Sequence, residues 1–340
     1  MPNTAAGGRA QMFMNRRIVI VSIAMAHIAS GASALRAQPA RATMPRIGVL
    51  SFRSPPPGVD PDPIAGFRRG MRDLGYVDGR NIVLDYRYAD GQPDRLATLV
   101  TELVQSKVDV ILAGGPVPLQ FARKATSTIP IVAISGSDPV REGWAQTLAR
   151  PGGNVTGVQV TFLALAAKQL EILKTAVPKL ERVAVLLAPT ELSDPGVEAG
   201  ARALGLQLIM LEVSGPDDFE RAFKHAASSR AQGLYAIATN TIVAHRTKLA
   251  ELAVAYQLPS ISELTLLANA GFLLSYGADL DALGLRAATY VDKVLKGERP
   301  SDMAIELPAV FELVINSKTA KALGMSMPQS ILMRATRVIE

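Results

Sequence analysis

The succession strand, helix, strand, helix is written twice along this 340-residue chain. In the first copy "RIGVL" at 46–50 is a short buried-strand run. Asp62-Pro63 then supplies an N-cap and a first-turn proline, and Ile64, Phe67, Met71 and Leu74 recur on one helical face before Gly75 ends it. "NIVLDYRY" is the next strand. In the second copy "RVAVLL" (182–187), Asp194-Pro195, Leu204-Gly205 and "LQLIMLEV" take the same places. The following helices agree position by position: Leu96, Leu99, Val100, Leu103 and Val104 have the i, i+3, i+4, i+7, i+8 spacing of Phe219, Ala222, Phe223, Ala226 and Ala227. Each leads into an apolar strand, "VDVILAGG" or "GLYAIATN", and later to a proline-marked one, "IPIVAISGSD" or "LPSISE".

Two copies of an alternating βα unit predict an α/β protein with two parallel sheets, each wrapped by helices and joined near the middle. The join falls at "LARPGGNVTGVQV", residues 148–160. Pro151, Gly152 and Gly153 cannot continue a helix and the β-branched run after them is extended, so this stretch reads as the first crossover between lobes. An ordinary loop inside one large domain is the competing reading.

The first 37 residues stand apart. Met14 opens a segment with Arg16 and Arg17, an apolar run from Ile18 to about Ala29, and small residues at Ala32, Ala34 and Ala37, which predicts a secretory signal peptide behind a short extension. The Arg pair is compatible with Sec or twin-arginine export. The apolar run is shorter than the roughly 18 to 20 residues a membrane span needs. Four of the arginines behind the formal net charge of +6 lie here with no acid, so the expected mature chain carries +2 and no basic footprint for nucleic acid. There is no Cys, so the fold rests on its core without disulfides or an N-terminal lipid.

In open parallel sheets, ligands bind at the carboxyl ends of strands. Those ends supply Ser51 and Arg53, Gly115 and Pro116, then Ser137 and Asp138 in the first half, and Thr190, Asn240, Ser262 and Glu263 in the second. Tyr276 in "LLSYGADL" is a further candidate. Hydroxyls, amides and glycines with a few charges suit hydrogen bonding to a small polar molecule. Helix N-termini with Ser51, Ser137 and Thr190 favour an anionic group, and Asp138 or Glu263 would answer an ammonium. Each also has a structural alternative: Asp138 before Pro139 caps turns, Arg53 suits a solvated rim, and Tyr276 and the single Trp, Trp144, suit packing.

Catalytic patterns are missing from the sequence. His225 and His245 sit at helix-patterned positions among Lys and Arg and read as solvated surface. No HExxH, G-x-S-x-G, G-x-x-x-x-G-K-[ST] or G-x-G-x-x-G follows the expected strands, so metal, nucleotide and nucleophile chemistry lack their usual sites and no cofactor is expected.

The segments "FRRGMRDLGYVDGRNIVLDYRYADGQPDRL", "VDVILAGG", "TIPIVAISGSDPV", "LARPGGNVTG", "LLSYGADL", "RAATYVDKVLKG" and "FELVINSKTAKALG" closely resemble the ABC transporter substrate-binding protein family, relatives of aromatic amino acid binding proteins, in order from about residue 46 to 340. The resemblance implies the type I periplasmic binding protein fold: two Rossmann-like lobes, three crossovers and a ligand in the cleft between them. The hinges would be the "ARPGGNVTG" region and residues near 275–279 and 301–307. It implies lobes of 46–156 plus 278–302 and 157–277 plus 303–340, a periplasmic location, a monomer, and a membrane permease and ATPase as partners. One departure stands out. Where the family commonly has a Gly-Thr-Pro turn, this chain has Gly115-Pro116-Val117, which removes a hydroxyl and a backbone N–H from a turn expected to contact ligand.

The expected function is capture of a small carboxylate-bearing ligand, with amino acids in that class, by hinge closure, and its delivery to an importer. Two other readings stay open at this point: a secreted α/β enzyme using the same cleft, and a ligand-loaded partner of a membrane receptor.

Overall fold

The computed structural model describes residues 44–54, 63–160, 165–188 and 195–340. The expected leader, both aspartate N-caps (Asp62 and Asp194) and Thr190 lie outside the described residues.

Five strands form the first sheet in the order β2-β1-β3-β4-β5, all parallel: β1 (Arg46–Ser51), β2 (Val83–Tyr88), β3 (Val110–Gly114), β4 (Ile131–Ser135) and β5 (Val155–Gln159). The inner strands read as continuous apolar runs because helices cover both faces. On one face α2 (Pro93–Gln105) seats Leu96, Val100 and Leu103 against Leu50, Ile111 and Ala113, together with α3 (Pro116–Ala125). Trp144 is 5 % exposed and packs into that same layer. On the other face α1 (Pro63–Asp73) seats Ile64, Phe67 and Met71 against Ile47, Val49 and Val132. Leu74, expected on the same stripe, is exposed because the helix has ended one residue earlier.

The second half builds a seven-stranded sheet, in the order β12-β11-β10-β9-β8-β6-β7. After α4 (Ala166–Ala176) come β6 (Arg182–Leu187), α5 (Pro195–Ala203), β7 (Gln207–Glu212), α6 (Pro216–Ser228) and β8 (Gly233–Ala236). Then follow α7 (Asn240–Ala244), α8 (Arg246–Ala255), β9 (Ser260–Ser262), α9 (Thr265–Ala270) and β10 (Leu274–Ala278). On α6, Phe219, Ala222, Phe223 and Ala226 are buried as the spacing predicts, while Ala227 is exposed. His225 is solvated, but His245 is half-buried between α7 and α8, edge-on to Phe219 at 5.5 Å.

From β10 the chain enters α10 (Leu280–Leu295), which lies not on the second sheet but against α1. Glycines permit this. A Cβ on Gly66 would stand 2.3 Å from the Asp281 carbonyl oxygen, and one on Gly284 would stand 2.1 Å from that of Pro63. The chain then makes a 3-10 turn at Pro300–Asp302 and returns to the second sheet as β11 (Phe311–Asn316), α11 (Ser317–Ala322), α12 (Gln329–Leu332) and β12 (Arg337–Ile339).

Two expectations need correction. The second sheet is not wholly parallel, because β11 runs antiparallel to β10. The Pro151-Gly152-Gly153 breaker is not itself a crossover: it precedes β5, which pairs with β4 along its whole length, and the chain leaves the first sheet only after Gln159. Residues 303–306 also stay with the first sheet. The Thr156 hydroxyl donates to the Met303 carbonyl at 2.8 Å, and Val158 bridges Glu306 in parallel.

Candidate ligand-binding site

The register fixes which edges of the two sheets meet. The first crossover leaves the carboxyl end of β5, and the second leaves the carboxyl end of β10 through Asp279 alone. The third starts at Glu306, paired beside that same end of β5, and enters β11 at the end antiparallel to β10's exit. All three connections therefore join carboxyl edge to carboxyl edge. Parallel strands place their loops and helix N-termini there, so the described candidate residues of each half lie at or beside those carboxyl edges.

On the first-sheet side the polar groups are held mainly by one another. The Ser51 hydroxyl donates to the Arg53 carbonyl at 2.9 Å, and Arg53 is exposed at the rim. Ser137, 8 % exposed, shares a 2.9 Å hydroxyl contact with the fully buried Ser135. The Asp138 carboxylate accepts from the Val140 and Arg141 amides at 3.0 and 3.1 Å, so it caps the turn it opens. Gly115 occupies φ +116, which only glycine adopts readily, and its N–H donates to the Ile134 carbonyl at 2.9 Å. Pro116 and Pro118 occupy the first turn of α3 and have no N–H, which leaves the Val117 amide as the donor of that turn.

The second-sheet side carries the buried charge. Glu263, 5 % exposed, follows the last residue of β9; its carboxylate accepts from the Ala238 amide at 2.7 Å and from the Ser262 hydroxyl at 3.2 Å. The fully buried Ser262 hydroxyl shares its one proton with a shorter contact, 2.8 Å to the Ala236 carbonyl, so the Ala238 amide is the stronger hold on the carboxylate. Gly277 makes this possible, since a Cβ there would stand 1.8 Å from the Glu263 carbonyl oxygen. Asn240 is exposed at the first turn of α7, beside Thr239, whose hydroxyl accepts from the Ile242 amide. Tyr276 is half-buried and stacks on Phe311 with ring centroids 6.1 Å apart.

Four contributors escape sequence reasoning. Gln169 is fully buried on α4, accepts from the Tyr235 hydroxyl and donates to the Tyr276 carbonyl at 2.7 Å. Phe311 completes the ring stack. On β11, Glu312 accepts from the Thr265 hydroxyl at 3.3 Å; burial first, then the nearby Asp279, push its carboxyl above the usual range. Glu306 is held below that range, chiefly by its hydrogen bonds from Arg286.

A buried carboxylate and several hydroxyls thus stand at strand ends beside the three crossovers, and no group of three or more His, Cys, Asp or Glu side chains that could hold a metal lies among the described residues. The sequence profile described as ABC transporter substrate binding protein matches residues 48–339. This chain belongs to the ABC transporter substrate binding protein family. Its members are substrate-binding proteins, not enzymes, and the two-lobed type I periplasmic binding fold is that of its structural neighbours. The family member from Clostridioides difficile (strain R20291) described as a tyrosine-binding protein is 28 % identical over 264 residues, 76 % of either chain. A conserved domain protein from Vibrio cholerae O1 biovar eltor superposes with a TM-score of 0.78 at 25 % identity, over 87 % of this chain and 99 % of that one. An ABC domain in complex with L-Trp from Streptococcus pneumonia gives a TM-score of 0.77 at 25 % identity, with the same coverage. In this substrate-binding protein no helix of the described residues is long and apolar enough to cross a membrane.

Proposed function

We propose that this solute-binding protein of an ABC importer captures a small carboxylate-bearing molecule, with amino acids in that class, between lobes 44–160 plus 280–306 and 165–279 plus 311–340. The observation that carries the ligand class is Glu263. A carboxylate oriented at a strand end by an amide and a hydroxyl is a preformed partner for a ligand ammonium. The relatives described as binding tyrosine and L-Trp support the amino acid reading. Tyr276 and Phe311 add an aromatic face that suits a ring-bearing side chain.

Ser51, Ser137, Thr190 and the Val117 amide are proposed to receive the ligand carboxylate, with Arg53 at the rim and Gly115, Pro116, Asp138, Asn240 and Ser262 shaping the walls. The two prolines of α3 make its N-terminus a sparser donor set than an ordinary helix start, so the hydroxyls carry more of that contact. The reading includes a periplasmic monomer, supported by the leader pattern, which engages a permease and its ATPase and no nucleic acid.

Thermal shift against the twenty amino acids and a set of small organic acids, followed by calorimetry and mass spectrometry of the incubated ligands, tests it. At least one amino acid should raise Tm without chemical change. Glu263→Gln should weaken that ligand by about 10- to 150-fold, the loss of a charge-assisted hydrogen bond. A panel that leaves Tm flat, or a product peak, refutes the proposal.

A further inference from the structure

The crossovers are anchored unequally, and this locates where the molecule bends. On the first-lobe side, Glu306 is fixed three ways. Its N–H donates to the Gly157 carbonyl at 3.1 Å, its carbonyl accepts from the Gln159 amide at 2.8 Å, and its carboxylate takes a two-pronged ion pair from Arg286 of α10. The Arg286 guanidinium lies over the Tyr290 ring, and the Tyr290 hydroxyl donates to the Ala304 carbonyl, two residues before Glu306. One residue thus ties β5, α10 and the third crossover together, although they precede or follow three different passages between lobes. On the second-lobe side the matching anchor is buried Gln169, which joins α4 to β10, while the Asp279 amide donates to the Val310 carbonyl at 3.2 Å.

Between these anchors little is held. Residues 307–309 make no hydrogen bond to another described residue, and Leu307 at the start of the segment and Val310 just after it are 54 % and 50 % exposed. Asp279 is the whole of the second crossover. Its N–H belongs to the second lobe through Val310, whereas its side chain caps α10 by accepting from the Ala282 amide at 3.0 Å.

We propose that the lobes turn about the torsions of Asp279 while residues 307–309 take up the displacement, and that the Arg286–Glu306 pair is the post that keeps the slack confined to those three residues. Without the pair, Glu306 would keep only its two backbone bonds to β5 while Ile305 stays fixed by its burial and its N–H to the Leu148 carbonyl, so Glu306 could join the free segment and the range of interlobe angles would widen. This deepens the solute-binding reading, because the fraction of molecules in the binding-competent angle scales the apparent affinity. It is tested without ligand, so failure of the ligand panel and failure of the post are separate results.

The mature chain lacks Cys, so cysteines placed at the exposed Asp94 and Asp217 report one interlobe distance by spin-label spectroscopy. In Glu306→Gln the distance distribution should broaden, and hydrogen exchange at the Glu306 and Gln159 amides should accelerate by about tenfold or more as the local opening becomes easier. Arg286→Gln removes the pair without altering Glu306 itself and should do the same, and it is read alone if Glu306→Gln does not fold. An unchanged distance distribution, or unchanged exchange at those two amides, overturns the proposal.

Discussion

Replacing Gly284 by Ala puts two physical effects in direct opposition. Gly284 lies inside α10, where Ala is the better helix former by about 1 kcal/mol. Propensity alone therefore predicts a more stable protein. The packing predicts the reverse. The new Cβ would stand 2.1 Å from the Pro63 carbonyl oxygen, 2.6 Å from the Phe67 nitrogen and 2.9 Å from the Gly66 carbonyl carbon. All three are backbone atoms of α1, so no rotamer change relieves the overlap, and the helices must part by roughly 1 Å to restore contact distance. A gap of that size forfeits about a quarter to a half of each van der Waals contact along the seam. Overpacking of this kind typically costs about 1–3 kcal/mol. The seam is continuous: Gly66 faces Asp281, and a Cβ on Gly70 would stand 2.7 Å from that of Ala288, so a local shift propagates.

The net expectation is a loss of about 2 kcal/mol, which at this size lowers Tm by roughly 3 °C. Differential scanning calorimetry with denaturant unfolding of the same variant measures it. Because α10 starts one residue after the second crossover, ligand affinity should fall with stability, whereas Gly→Ala in an uncrowded helix would leave it alone. A Gly284→Ala protein as stable as the parent, or more so, refutes the close-approach argument, since propensity would then be the only effect operating.

Asn316 accepts from the Thr319 amide at 3.0 Å and donates to the Ala268 carbonyl at 2.9 Å while 4 % exposed, so Asn316→Ala should cost about 1–3 kcal/mol by urea denaturation. Glu312→Gln should stabilise at neutral pH. Its folded pKa is raised, so the native state binds the proton more tightly than the unfolded chain, and the charged carboxylate is a burden that fades as pH falls through the raised value. Tm measured against pH should show the gain shrinking on acidification. Glu306 has the opposite sign: its pKa is depressed, so its contribution is present above the ordinary carboxylate range and lost as pH falls through the lower folded value. Glu306→Gln should therefore flatten the acid limb of the same Tm profile.

The strands and helices were legible because their burial is local and periodic. Ile64, Phe67 and Met71, or Leu96, Val100 and Leu103, can face inward only if the chain is helical there. The misjudged positions are the ends. Leu74 and Ala227 continue the spacing arithmetically, but α1 has stopped and α6 is one residue from stopping, where the stripe turns to solvent. Ser262 and Glu263 were legible as strand-end residues, for the same reason of periodicity followed by polarity. Their geometry was not, because it depends on the Ala238 amide and on the gap left by Gly277, which are 25 and 14 residues away in the chain. Gln169, Arg286 and Glu306 carry no local mark at all. A polar residue on a helix or in a loop looks solvated until the partner elements are placed beside it.

The breaker at 151–153 illustrates a more general point about where a chain may be punctuated. The strands that lead to the junction are paired and largely buried, and a buried backbone N–H or C=O in them needs a partner. Proline removes a donor and glycine costs conformational entropy, so a Pro-Gly-Gly run is poorly suited to those paired strands. The chain accordingly approaches the passages on paired backbone, β5 beside Glu306 on one side and the β10–β11 ladder on the other, and its unpaired residues 307–309, which include Pro308, lie where Leu307 and Val310 are exposed. The breaker is placed at the opposite end of β5, in a loop where Gly152 and Gly153 are exposed and Gly152 donates to the Ser301 carbonyl at 3.2 Å. Its position one strand before the passage follows from this. It sets the direction in which β5 enters the sheet, so the strand's carboxyl end arrives at the junction already in register with Glu306. A shift of one residue in that loop would turn Thr156 and Val158 to the wrong faces of β5 and unseat the third crossover with the first.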